Sequence, residues 1–171
     1  MRRVFGITGW KNSGKTTLTE KLVTELVARG WTVSTVKHAH HDFDIDKPGA
    51  DSFRHRQAGA AEVAIVSDRR WALMHELRGK NEPTLDDILA RLTPSDIVLV
   101  EGYKREAHKK IEARRLEAKD RTPLSANDPN IVAIAADFTV EGETLPVFDL
   151  NDTKSIADFV ERSTGLVAQT K

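Results

Sequence analysis

The sequence predicts an α/β protein built on a mostly parallel sheet. Short apolar runs such as Val4–Thr8, 97–100 and Ile131–Ala136 read as strands buried on both faces. Segments of helical period separate several of these runs. The resulting strand, helix, strand alternation is the pattern of a parallel sheet covered by helices.

The elements follow in order. Val4–Thr8 is β-rich and stops at Gly9. Residues 16–29 carry Leu18, Leu22, Val23, Leu26 and Val27 at helical spacing, and Gly30 is a natural stop. Residues 31–37 alternate Thr and Val and form the second strand. The stretch 38–49 is polar and turns at Pro48-Gly49. A short helix is expected within 51–61. The β-like runs 62–67 and 71–77 around Asp68-Arg69-Arg70 predict a hairpin inserted at about 62–77. Residues 84–92 form a helix with Thr84 as its cap and Asp86 and Asp87 in its first turn. Strands are expected at 97–100, 109–115, Ile131–Ala136 and 145–150, and a closing helix at 154–162. The length of 171 residues suits one domain, 1–171.

Bulk composition excludes several classes. With no cysteine there are no disulfides, thiolate metal sites or cysteine nucleophiles, and a reducing compartment is expected. The 26 basic and 26 acidic side chains cancel, so no global field draws a nucleic acid. The apolar run at the N-terminus is too short for a signal peptide, and no stretch approaches the roughly 18 apolar residues of a membrane span. A cytoplasmic protein with neither nucleic-acid nor membrane partners is expected.

The chemistry starts at Gly9-Trp10-Lys11-Asn12-Ser13-Gly14-Lys15-Thr16, a complete phosphate-loop pattern between a predicted strand and a predicted helix. Phosphates carry dense negative charge, which backbone N–H groups can cradle where glycines let the chain curl. The helix that follows aims its positive end at the anion. Gly9, Lys11, Asn12, Ser13, Gly14, Lys15, Thr16 and Thr17 are therefore the candidate nucleotide contacts. Lys15 is the catalytic cation on the β/γ oxygens, and the Thr16 hydroxyl is a ligand for Mg²⁺. The pattern predicts a purine nucleoside triphosphate with Mg²⁺ as the ligand. With it, the fold class becomes a three-layer P-loop NTPase α/β fold with an inserted β-hairpin.

Such a loop works with a carboxylate at a neighbouring strand's end. Asp96 and Glu101 flank 97–100, about 16 Å apart at ~3.3 Å per residue. Ligands sit at the carboxyl ends of parallel strands, so Glu101 is the metal and catalytic candidate and Asp96 a turn residue.

Residues 38–46 hold three histidines and three aspartates, again after a strand. His38, His40 and His41 are expected to contact substrate or phosphate; a solvated loop and a metal site are the other readings. Asp44 and Asp46 are alternative acids for the Mg²⁺ outer shell, and Lys37, Arg54 and Arg56 can extend an anion-binding surface. Segment 104–121 holds eight Lys/Arg and four Asp/Glu. It reads as a solvated edge strand or as a docking surface for an anionic partner.

Taken in order, the phosphate loop, residues 37–46, Pro48-Gly49-Ala50-Asp51-Ser52, Leu99-Val100-Glu101-Gly102-Tyr103-Lys104, Lys110-Ile111-Glu112 and Asn127-Asp128-Pro129 resemble the molybdopterin-guanine dinucleotide biosynthesis protein B (MobB) family of adapter proteins. The resemblance implies a homodimeric GTP-binding adapter with weak GTPase activity. It also implies partners: molybdopterin or its guanine dinucleotide, a MobA-like nucleotidyltransferase, and apo-molybdoenzymes. The chain lacks Asn-Lys-x-Asp, the usual guanine reader, so GTP over ATP rests on the resemblance. Asp137, Asp149 and Asp152 are substitute carboxylates or simply turn residues. Alternative functions are a small-molecule kinase, with Arg114, Arg115 and Arg121 as its lid, and a GTPase metallochaperone for nickel.

Overall fold

A computed structural model describes residues 2–39 and 43–167. In chain order the elements are β1 (Val4–Thr8), α1 (Lys15–Ala28), β2 (Val33–Lys37), α2 (Asp51–Gln57), β3 (Glu62–Val66), β4 (Trp71–His75), α3 (Leu85–Arg91), β5 (Ile97–Glu101), β6 (Lys110–Arg114), β7 (Ile131–Ala136), β8 (Val147–Asp149) and α4 (Thr153–Thr164). The chain divides into two compact units, residues 1–38 with 91–171, and residues 39–90.

In the first unit, six strands form one sheet in the order β2-β5-β1-β6-β7-β8, every pair parallel. All their carboxyl ends therefore reach one rim. One face is apolar. Phe5, Ile7, Ile97, Leu99, Ile111, Ala113, Ala133 and Ala135 meet Leu18, Leu22 and Leu26 of α1 and Ile156, Ala157 and Val160 of α4. The leucines recur every four residues, which keeps them on one side of α1. Each fully buried one contributes roughly 1.5–3 kcal/mol of transfer free energy. Asp152 caps α4 by accepting from the Ser155 N–H at 3.1 Å, and Gly165 ends it in the left-handed region at φ 64°. Arg29 and Trp31, just past α1, both bond Glu161 of α4, at 3.0 and 2.8 Å.

The opposite face of β6 is polar and equally closed. Lys110, Glu112 and Arg114 are 0, 1 and 8 % exposed. Lys110 Nζ lies 2.6 Å from Asp128 Oδ2. Glu112 accepts from the backbone N–H groups of Leu124 and Ser125 at 2.9 and 3.1 Å and from Arg114 at 2.8 Å. Arg114 also pairs with Glu143 at 2.8 Å. Here connecting chain, not helix, covers the sheet. This corrects the reading of 104–121 as a solvated edge strand: β6 lies between β1 and β7, and its charges are internal.

In the second unit, β3 and β4 form an antiparallel hairpin paired from Glu62↔His75 to Val66↔Trp71, with the turn closed by Ser67 N–H to Arg70 O at 2.9 Å. The hairpin falls within the expected 62–77, and α2 belongs to the same unit. Arg56 of α2 is its ionic hub, bonding Asp44 and Glu76 at 2.9 Å and Asp46 at 3.3 Å. Arg56, read as part of an anion-binding surface, is thus already paired with three carboxylates. Asp44 and Asp46, expected as spare Mg²⁺ acids, are engaged with it. Among the described residues no helix is long and apolar enough to cross a membrane.

Candidate functional site

The loop between β1 and α1 is bent by three residues at positive φ: Gly9 at 143°, Asn12 at 64° and Gly14 at 91°. At Gly9 a Cβ would lie 2.4 Å from Ser13 Oγ and 2.5 Å from the Ala113 carbonyl oxygen, so only glycine fits. Gly14 stands at the amino end of α1, where among the described residues no side chain caps the helix. The first N–H groups of a helix have no partner within it. They therefore open on the concave side of the loop, with the helix's partial positive charge behind them. Ser13 is buried inside the bend, its N–H donating to Trp10 O at 3.2 Å. Lys11 is exposed on the outside.

Lys15 is the first residue of α1 and is half-buried. Its Nζ donates to the Trp10 carbonyl at 2.6 Å, which curls the side chain over the loop. Burial holds its pKa below the ordinary lysine value; the Glu101 carboxylate opposes this, while Lys104 and Lys37 add to it. Trp10 is itself fixed from two sides: its indole N–H donates to Thr122 O at 2.7 Å, and Lys104 Nζ stands 3.9 Å above its ring.

Glu101 ends β5, next to β1, in register with Ile7 on one side and Lys37 on the other. It is 8 % exposed, and its Oε1 accepts from the Thr16 hydroxyl at 2.9 Å. Two oxygens of this kind suit a hard cation. Octahedral Mg²⁺ with bonds of ~2.1 Å places neighbouring ligand oxygens about 3.0 Å apart, close to the separation here. Asp96, at the other end of β5, accepts from the Thr32 N–H and hydroxyl at 2.8 and 2.6 Å, which makes it the expected turn residue.

A cavity of about 430 Å³ lies along the loop, lined by Asn12, Gly14, Lys15, Thr16, Thr17, Arg115 and Glu117. Sequence reasoning assigned Arg115 only to a kinase lid, and Glu117 to nothing. Arg115 is drawn toward Asp137, its Nε 3.4 Å from Oδ2, while Asp137 Oδ1 accepts from the Leu116 N–H at 2.8 Å. Asp149 accepts from the Asn151 N–H at 2.8 Å, and Asp152 caps α4. Asp149 and Asp152 thus have turn and cap roles, while Asp137 ties the end of β7 to the chain that follows β6.

His38 borders the site. Its N–H donates to Glu101 O at 2.9 Å, and its ring lies 4.8 Å from that of Tyr103. His40 and His41 lie outside the described residues. Among the described residues no group of three His, Asp or Glu side chains converges as a metal site. The residue that sequence reasoning undervalued is Lys37, whose Nζ lies 3.2 Å from Glu101 Oε1. Only the register of β2 on β5 reveals that pairing.

Comparison with known proteins agrees with this architecture. Residues 4–137 match the family described as Molybdopterin guanine dinucleotide synthesis protein B. A molybdopterin-guanine dinucleotide biosynthesis adapter protein of Haemophilus influenzae is 42 % identical over 161 residues, covering 92 % of this chain and 87 % of the relative. One from Escherichia coli is 40 % identical over 159 residues, covering 92 % and 90 %. The crystal structure of a MobB homologue from Bacillus stearothermophilus superposes with a TM-score of 0.71 at 34 % identity, over 96 % of this chain and 99 % of that one. With that match running from β1 through the end of β7, the chain belongs to the molybdopterin guanine dinucleotide synthesis protein B family.

Proposed function

We propose that the chain is a GTP-binding adapter that assists biosynthesis and delivery of the molybdenum guanine dinucleotide cofactor. The observation that carries the nucleotide reading is the amino end of α1 behind Gly14, uncapped by any side chain among the described residues, with Lys15 folded over the loop and the Thr16–Glu101 oxygen pair beside it. In this reading the loop N–H groups of residues 9–17 cradle the phosphates, and Lys15 neutralises the β/γ oxygens. Thr16 and Glu101 hold Mg²⁺, which when bound supplies further charge neutralisation at the phosphates.

The adapter role follows the relatives' description as adapter proteins. In this reading a nucleotidyltransferase is the partner that makes the dinucleotide, and apo-molybdoenzymes receive it. Hydrolysis by the isolated chain is slow. Arg115 lines the cavity, but its guanidinium lies toward Asp137, and catalysis without a stabilising arginine or a positioned water is typically lower by about 10³–10⁵. His38 at the rim contacts an anionic pterin ligand, a role that this reading extends to His40 and His41. The functional form is a homodimer in the cytoplasm. The hairpin supports the dimer, because it exposes Ile65, Val66, Trp71 and Leu73 on a sheet of only two strands.

Calorimetry with GTP and ATP, with and without Mg²⁺, tests the reading. Lys15→Ala should weaken GTP binding strongly in a folded protein. Glu101→Gln should reduce the Mg²⁺-dependent part more than Asp96→Asn does. A Lys15→Ala protein with unchanged GTP affinity would sink the assignment, and equal effects at Glu101 and Asp96 would misplace the metal.

A further inference from the structure

β2 ends at Lys37, the register partner of Glu101. Its ammonium is 3.2 Å from Glu101 Oε1 and 3.4 Å from Thr16 Oγ1, while those two oxygens lie 2.9 Å from each other. Lys37 therefore stands on the same pair of atoms that the proposed function gives to Mg²⁺. A divalent cation and an ammonium cannot both occupy that position. They would be like charges within a few ångströms, beside a carboxylate with little access to water.

The neighbouring lysine shows what a permanent contact looks like here. Lys15 is half-buried and anchored to Trp10 O at 2.6 Å. The Lys37 side chain is 58 % exposed, and among the described residues its other hydrogen-bond partner is Thr16, at the longer distance of 3.4 Å. A flexible four-carbon stem in that setting can swing into solvent at small cost. The backbone need not follow, because the next N–H, of His38, is bonded to Glu101 O.

Resting on the Mg²⁺ reading above, we infer that Lys37 is a displaceable counter-cation: it neutralises Glu101 and yields the Thr16–Glu101 pair to Mg²⁺ when the metal–nucleotide complex enters. It is a positioning residue that acts through Glu101. It keeps a nearly buried carboxylate paired, and it sets how much Mg²⁺ is needed to complete the site.

The test is calorimetry of GTP binding at stepped MgCl₂ concentrations, read as the Mg²⁺ concentration that gives half the full gain in affinity. Lys37→Met removes the competing charge and should lower that midpoint about fivefold, the upper range for an exposed pair, whereas Lys37→Arg keeps the charge and should stay within about twofold of wild type. Both variants should fold, since the side chain is largely in solvent. A Mg²⁺-dependent wild type with an unmoved or raised midpoint in Lys37→Met would overturn the inference alone. A wild type whose GTP affinity ignores Mg²⁺ would overturn the metal reading and the inference with it.

Discussion

β5 and β6 flank β1 on its two sides, and every residue of both strands is buried. They reach that state by different chemistry. β5 reads Ile97-Val98-Leu99-Val100-Glu101, with its one charge held to the rim where ligands bind. The burial of its four apolar residues needs no polar partner. β6 reads Lys110-Ile111-Glu112-Ala113-Arg114. Ile111 and Ala113 join the apolar core, and the three charges face the other way into closed polar chain. A buried charge is tolerable only when it is paired and hydrogen-bonded. β6 therefore depends on polar partners along its whole length, and β5 only at Glu101.

The largest test of that contrast is Glu112→Ala. It strips Arg114 of one carboxylate and leaves the N–H groups of Leu124 and Ser125 without their acceptor. The expected loss of unfolding free energy is about 3–5 kcal/mol, the range for breaking a buried ion pair by removing one partner. On β5, Ile97→Val removes one methylene from a fully buried side chain and should cost only about 0.5–1.5 kcal/mol. Urea titrations of the two variants give the comparison. If Glu112→Ala costs no more than Ile97→Val, the polar face of β6 is wetter and more forgiving than its hydrogen bonds indicate.

The same contrast explains what could be read in advance. The phosphate loop was legible because its chemistry demands fixed residue types within eight positions. Glu101 followed from where a parallel strand must end. β5 was legible because an unbroken apolar run has few alternatives. β6 was legible as a strand but its burial was not, because Asp128, Leu124, Ser125 and Glu143 complete it from 11 or more residues away. A charged, alternating strand looks the same in sequence whether water or such partners meet it. Lys37 was undervalued for a related reason: its contact with Glu101 spans the chain and exists only through the β2–β5 register. Arg56 looked like a free cation because Asp44, Asp46 and Glu76 are not arranged around it in sequence.

The residues just before each strand extend the comparison to pH. Asp96, before β5, is half-buried, and its bonds from the Thr32 hydroxyl and N–H hold its carboxyl below the usual range. Its contribution is lost only in strong acid. His108, before β6, is packed so closely on β1 that a Cβ at Gly6 would lie 2.5 Å from His108 Nε2. Both ring nitrogens are buried without a partner among the described residues. Burial lowers the imidazole to about 4, the Lys110 ammonium adds to the shift, and Asp128 opposes it. The folded value lies below that of the unfolded chain, near 6.5. Above that pH the ring is neutral in both states and its contribution is fully present. Between about 6.5 and 4 the unfolded chain takes up a proton that the folded chain refuses, so stability is lost as the pH falls. His108→Leu removes this titration. The urea midpoint of wild type minus that of the variant should be flat above pH 7 and should fall between pH 6.5 and 4. At neutral pH this is the smallest of the three effects, since the ring is then uncharged either way. A difference that stays flat down to pH 4 would mean that His108 accepts its proton freely in the folded protein, and that the closed polar face does not extend to the start of β6.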